Sequence, residues 1–408
     1  MTMTLTAAKP GIHAPLAKAP PRIATDTSVA DAPPRPEAVR LRAVMTAAVL
    51  ACSFAGILGL AWDEQWHQSV GRDAFLTPPH ALLYSATGVA GLLCLVVVLW
   101  QTWTYRRQGH LANGVTVFGV FHAPLGVVVA GFGALTTALA APLDNYWHEL
   151  YGVDVVLWAP FHMMGMLGGF IRISGALYLA ASLLVARPNS RWAKAGVVLA
   201  STFLLWTFVN LAQPGEVLLP TFNFGPIQVM SYPLVLAALV PLPLLAVQRA
   251  MPGRWRATLV AASALGLGLG LAVYVPWAVQ TGAALEGLSY RSASLAPQFN
   301  PTSLVPLLAI VAVAFMVDLR TTMHVSAALV GAALGFSQWA CGAALAHWLS
   351  TSLTAAIASG LTFPPGIQIP APASSIAILL ALPIAMLLSA LSAALGAGWG
   401  ELLRRNPR

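Results

Sequence analysis

Ala81 to Trp100 reads ALLYSATGVAGLLCLVVVLW, an uncharged stretch followed closely by Arg106 and Arg107. A helix of about 20 such residues crosses roughly 30 Å of hydrocarbon, whereas soluble cores are assembled from shorter apolar pieces. The pattern recurs. Ala43–Ala61 precedes it, and Gly114–Ala141, Pro160–Ala186, Ala195–Ala212, Val229–Val247, Thr258–Val279, Ser303–Leu319, Val325–Leu349 and Ser374–Trp399 follow. Over 408 residues the chain is 58% hydrophobic and 8% charged, against about 25% charged in soluble domains. The expected fold is all-α, a polytopic bundle of about ten transmembrane helices with the lipid bilayer as its solvent.

The connections alternate in charge. One set carries Arg106 and Arg107, then Arg187, Arg191 and Lys194, then Arg249, Arg254 and Arg256, then Arg320, and last Arg404, Arg405 and Arg408. The other holds Asp63, Glu64, Asp73, Asp144, Glu149, Asp154, Glu216 and Glu286, with Arg72 and Arg291 as its basic residues. The positive-inside rule places the first set in the cytoplasm with both termini, as expected of a multi-pass protein of the cell inner membrane. The net charge of +8 thus reflects topology, and without a basic, aromatic-rich soluble patch no nucleic-acid partner is expected. Residues 1–40 form an expected disordered cytoplasmic tail, rich in Ala, Pro and Thr up to Pro36. Arg40 and Arg42 before the first apolar run mark a retained signal anchor rather than a cleaved leader. Residues 41–186 form a four-helix unit and 187–408 a six-helix remainder. Cys52, Cys94 and Cys341 sit singly in apolar runs and read as small core residues. Loops 213–228, 281–302 and 350–373, rich in Pro, Gly and Ser, are expected to fold over the outer face.

Polar chemistry concentrates in a repeat. The first copy runs Asp63, Trp66, His67, Gly71, Asp73, Leu76, Pro79, His80; the second runs Asp144, Trp147, His148, Gly152, Asp154, Leu157, Pro160, His162. The order is shared, with one residue inserted before the last histidine. Each copy joins an outward-going to an inward-going helix, so helices 1–2 and 3–4 form a parallel repeat about the membrane normal. Asp-x3-His puts a carboxylate and an imidazole one turn apart on one helix face. Gly and Pro then turn the chain so that His80 or His162 enters at the top of the next helix. A carboxylate with two imidazoles suits copper, zinc or iron. Asp73 and Asp154 either orient an imidazole by accepting its other N–H or cap the following helix. Met163, Met164 and Met166 read as packing residues more readily than as soft copper ligands. Trp66 and Trp147 fit an interfacial aromatic belt as well as a site.

The Asp-x3-His-x12-His spacing of Asp63, His67 and His80 resembles the metal-ligand pattern in the C subunit of the copper membrane monooxygenases, the particulate methane and ammonia monooxygenases. The resemblance implies a copper site near the outer membrane face, with Asp144, His148 and His162 as its second copy, and other membrane subunits or a homo-oligomer as partners.

Within the spans, His122 and Arg172 are ionisable and therefore expected to face protein. Arg172 is a candidate partner for Asp63, Asp144, Glu216 or an anionic ligand. His347, Asn210, Gln213 and Glu216 lie near the same outer face, and Gly266 to Gly270 marks a close helix contact. His110, His324 and Asp318 lie toward the cytoplasmic ends. The absence of a phosphate-binding glycine loop or dinucleotide fingerprint excludes ATP-driven transport by this chain alone. Three functions remain: a metal-binding protein with copper-dependent, monooxygenase-like redox chemistry; a secondary transporter or channel using the same Asp and His residues; and a non-catalytic membrane subunit.

Overall fold

In hydrocarbon every backbone N–H and C=O needs a partner within the chain, so an uninterrupted apolar run folds as helix. The protein, seen as a computed structural model, is described at residues 36–71, 74–109, 114–152, 158–212, 221–225, 227–298, 304–320, 331–333, 335 and 375–405. The helices are α1 (Pro36–Ser69), α2 (Pro78–Gln108), α3 (Leu125–Tyr151), α4 (Pro160–Ala186), α5 (Arg191–Leu211), α6 (Ser231–Leu239), α7 (Pro241–Ala250), α8 (Arg256–Leu285), α9 (Val305–Arg320) and α10 (Ser375–Arg405). Among the described residues seven helices are long and apolar enough to cross a membrane; α9 and the pair α6–α7 are shorter. The chain is a multi-pass, all-α membrane protein.

Three expectations need correction at their ends. Residues 36–40, assigned to the tail, already belong to α1, and the rest of that tail lies outside the described residues. The third span begins at Leu125, because Val115–Val117 and Phe121–Ala123 pair as an antiparallel hairpin, β1–β2. Phe118 and Gly119 turn it with φ of 52° and 68°, and Pro124 then bars the preceding residues from the helix. The sixth span is divided into α6 and α7 at Pro241, and Val229 and Met230 belong to a second hairpin, β3 (Thr221–Phe224) with β4 (Ile227–Met230). Of the expected span Val325–Leu349 only a few positions are described; there Gly331 and Gly335 press on Ser389 and Ala385 of α10.

Helices α1 to α4 close a ring in which each packs on the next and α4 returns to α1. The α3–α4 seam is the tightest. Its small residues Gly126, Ala130, Gly133, Thr137 and Ala140 alternate at steps of four and three, and they meet Gly168 and Gly175 of α4. A Cβ on Gly126 would come within 2.6 Å of the Gly175 carbonyl oxygen, so the backbones touch. By contrast, a Cβ on Gly266 or Gly270 of α8 would meet no described residue within 4 Å, whereas one on Gly268 would press on Leu304 and Leu307. The expected glycine contact is thus confined to one residue, because 266 and 270 lie on another face of α8. Helices α5 and α8 cover the first hairpin, burying Trp66 to 1% exposure against Val279 and Ala283. Trp66 is therefore a core residue, and the belt reading does not apply to it.

Candidate metal centre

Both repeat copies fold to the same local plan. α1 and α3 end beyond their histidines, and Gly71 and Gly152 follow with φ of 71° and 88°, a region that glycine enters without strain. α2 restarts at Pro78 behind Thr77, whose hydroxyl accepts from the His80 N–H, and α4 restarts at Pro160. The chain reversal brings the last histidine of each copy back over the Asp-x3-His turn.

The six expected ligands form two triads. In the first, Asp63 Oδ2 lies 3.5 Å from His67 Nε2 and Asp63 Oδ1 lies 3.3 Å from His80 Nε2. In the second, Asp144 Oδ2 lies 3.4 Å from His148 Nε2 and Asp144 Oδ1 lies 3.4 Å from His162 Nε2. Within each triad one ligand atom per residue lies within 4.8 Å of the others. The imidazole centroids are 6.0 Å apart in the first and 5.6 Å in the second. The geometry is duplicated along with the sequence.

These separations exceed the ~2.7–2.9 Å of a charge-assisted hydrogen bond. They match the edge of a tetrahedron: bonds of roughly 2.1 Å to a central ion place neighbouring ligands about 3.4 Å apart. Proton placement points the same way. His80 Nδ1 lies 3.0 Å from the Ala74 carbonyl oxygen and His148 Nδ1 lies 3.2 Å from that of Gly152. A carbonyl only accepts, so Nδ1 carries the hydrogen, and in the neutral tautomer the lone pair of Nε2 faces the aspartate. In that tautomer two acceptors face each other, an arrangement that a cation placed between them satisfies. Oδ1 of Asp63, Oδ1 of Asp144 and both ring nitrogens of His67 are buried without a hydrogen-bond partner among the described residues. The side chains therefore fit a metal ion, with three protein ligands each and positions left open for another group.

Both triads reach one cavity of about 130 Å³, lined by Asp63, His67, His80, Asp144 and His162 among others. Tyr84 stacks on His80 at 5.3 Å and lines the same space. Arg172 also lines the cavity, but its guanidinium binds Thr87 Oγ1 at 3.0 Å and pairs with neither Asp63 nor Asp144. Asp73, Asp154, Gln213, Glu216 and His347 lie outside the described residues; the helix caps themselves are Thr77 and Ala159.

Other polar residues have structural duties. Asp318 accepts from the N–H groups of Ala257 and Thr258 at 3.3 and 2.8 Å, capping α8 from another helix, since Trp255 at the cap position offers no acceptor. His122 lies in the β1–β2 hairpin, not in a span, with Nδ1 2.7 Å from Thr116 Oγ1 and its ring stacked on Tyr105. Glu64 was not singled out from the sequence. It lines the cavity and accepts from Asn210 Nδ2 at 2.6 Å, which tethers α5 to α1. Its carboxylate beside Asp63 was the available signal. No family model, curated protein or solved structure matches the chain.

Proposed function

We propose that this chain is an integral membrane metalloprotein that holds two transition-metal ions, one in each Asp/His/His triad, with copper as the favoured metal. The observation that carries this reading is the duplicated placement of His80 Nε2 and His148 Nε2 against Asp63 and Asp144 at 3.3 and 3.4 Å, with Nδ1 of each ring on a backbone carbonyl. Nitrogen and carboxylate ligands suit Cu(II), zinc and Fe(II). The resemblance of the motif to the copper membrane monooxygenases tips the choice to copper and the chemistry to oxidation at the open coordination positions. The charge pattern supports an inner-membrane location with the triads on the outer side.

This chain's own residues supply the rest. Ala74 and Gly152 hold two imidazoles by their Nδ1–H groups, fixing which nitrogen faces the ion. Trp66 and Trp62, on the same helix as Asp63 and His67, pack against each other and against α8. A transport reading loses its path: Asp318 and His122 are engaged structurally, and the fixed cation Arg172 lies at the inner end of the cavity, where it opposes passage of a metal ion.

Mass-spectrometric metal analysis of the purified protein tests the reading. Two copper ions per chain are expected, falling to one in His67→Ala and to one in His148→Ala. A correctly folded protein with no metal above background overturns it, and two zinc ions per chain overturn the copper assignment.

A further inference from the structure

The cavity beneath the triads ends on a charge that the fold does not neutralise. Arg172 is 5% exposed, and among the described residues its Nε has no hydrogen-bond partner. Among the described residues no carboxylate lies within ion-pair distance of it, and its electrostatic neighbours are the thiols of Cys52 and Cys94. A guanidinium keeps its charge at any physiological pH, and at membrane depth an unbalanced cation is costly. The helix opposite makes room for it: a Cβ on Gly56 would come within 2.8 Å of Nη2. The charge is also specific to one copy. Counting from the helix-entry histidine, Ala90 holds in α2 the place that Arg172 holds in α4.

Gly56 lies seven residues before Asp63 on α1, so the guanidinium sits about 10 Å below the first triad. The walls between them are apolar at Ile57, Leu60, Leu83 and Met166. We propose that this shaft binds a monocarboxylate, its carboxylate paired with Arg172 and its short apolar body directed toward the triads. The Arg172 guanidinium lines the shaft, and its N–H groups there suit a carboxylate oxygen as acceptor. One cation among apolar walls suits a single negative charge better than a phosphate dianion. The inference deepens the proposed function by naming the ligand of the cavity the triads line, but the Arg172 contact itself needs no metal.

Equilibrium dialysis of labelled butyrate against the full chain, stripped of metal with a chelator, tests the inference. One saturable site per chain is expected, about tenfold or more weaker in Arg172→Gln and largely restored in Arg172→Lys. Leu60→Trp fills the shaft, leaves Arg172 in place, and is expected to abolish binding; it decides the matter if Arg172→Gln fails to fold. Absence of saturable butyrate binding, unchanged affinity in Arg172→Gln, or binding retained in Leu60→Trp overturns the proposal, as does saturable inorganic phosphate without butyrate. Metal content measured before stripping separates the two ideas: butyrate bound by a chain that never held metal sinks the metalloprotein reading and leaves this one standing.

Discussion

At the scale of single residues, the site depends on which atoms carry protons. His80 and His148 have committed Nδ1–H to backbone carbonyls, so a proton arriving at either ring can go only to Nε2, the atom facing the aspartate. Protons and metal therefore compete for one position. Metal affinity is expected to weaken as the pH is lowered, because a proton taken up at Nε2 would displace the ion. Metal affinity measured between about pH 7.5 and about pH 5 checks this, and an affinity that does not change with pH would remove the imidazoles from the ligand set. Asp63 and Asp144 are indispensable in the same sense, since each faces two histidines through different oxygens.

At the scale of helices, each triad is held by a hairpin whose arms must keep their separation. The second hairpin does this through backbone contact. A Cβ on Gly168 would lie 2.6 Å from the backbone nitrogen of Thr137, so even alanine forces α3 and α4 apart. Gly168→Ala is expected to cost about 1–3 kcal/mol of stability. Because Asp144 and His148 ride on α3 and His162 on α4, the variant should also lose metal from the second triad while the first stays loaded. Thermal denaturation in detergent, paired with metal stoichiometry, reads both effects; an unchanged melting temperature would mean that the seam does not hold the hairpin. The first hairpin is built differently. Its contact at Gly59 with Leu83 is looser, at 3.1 Å, and α8 with Trp62 and Trp66 supplies the missing support.

At the scale of the whole molecule, the four-helix ring places both triads at one end of the bundle and the basic clusters at the other. In a background with the native cysteines replaced by alanine, Leu150→Cys should react with an impermeant maleimide from outside intact cells. Gln108→Cys should react only after permeabilisation. Both positions are exposed, so equal labelling of the two would overturn the assigned topology. The segment after α8 folds back over the triad end, where the Arg291 N–H donates to the Ser69 carbonyl at 2.9 Å and the Arg291 side chain covers Gly71. That segment, one of the three outer loops expected to fold over, ties α8 to the first triad.

Helices, and the six residues that meet in the two triads, were legible in the sequence because both signals are local. A bilayer-length apolar run leaves its backbone no option but helix, and Asp-x3-His followed by Gly, Pro and His fixes a turn within a few residues of each ligand. Legibility ended where an outcome depended on elements distant in the chain. Val115 to Ala123 is as apolar as a span, yet it pairs with itself because Phe118, Gly119 and Pro124 favour a turn. Asp318 resembled a proton stop and is a cap, because the start of α8 packs beside it and lacks an acceptor of its own. That two triads share a cavity, and that Arg172 rather than a seventh ligand closes it, follows from how α1, α2, α3 and α4 close their ring. Side-chain separations across that ring are set by glycine and alanine contacts between helices, which no spacing within a single helix encodes.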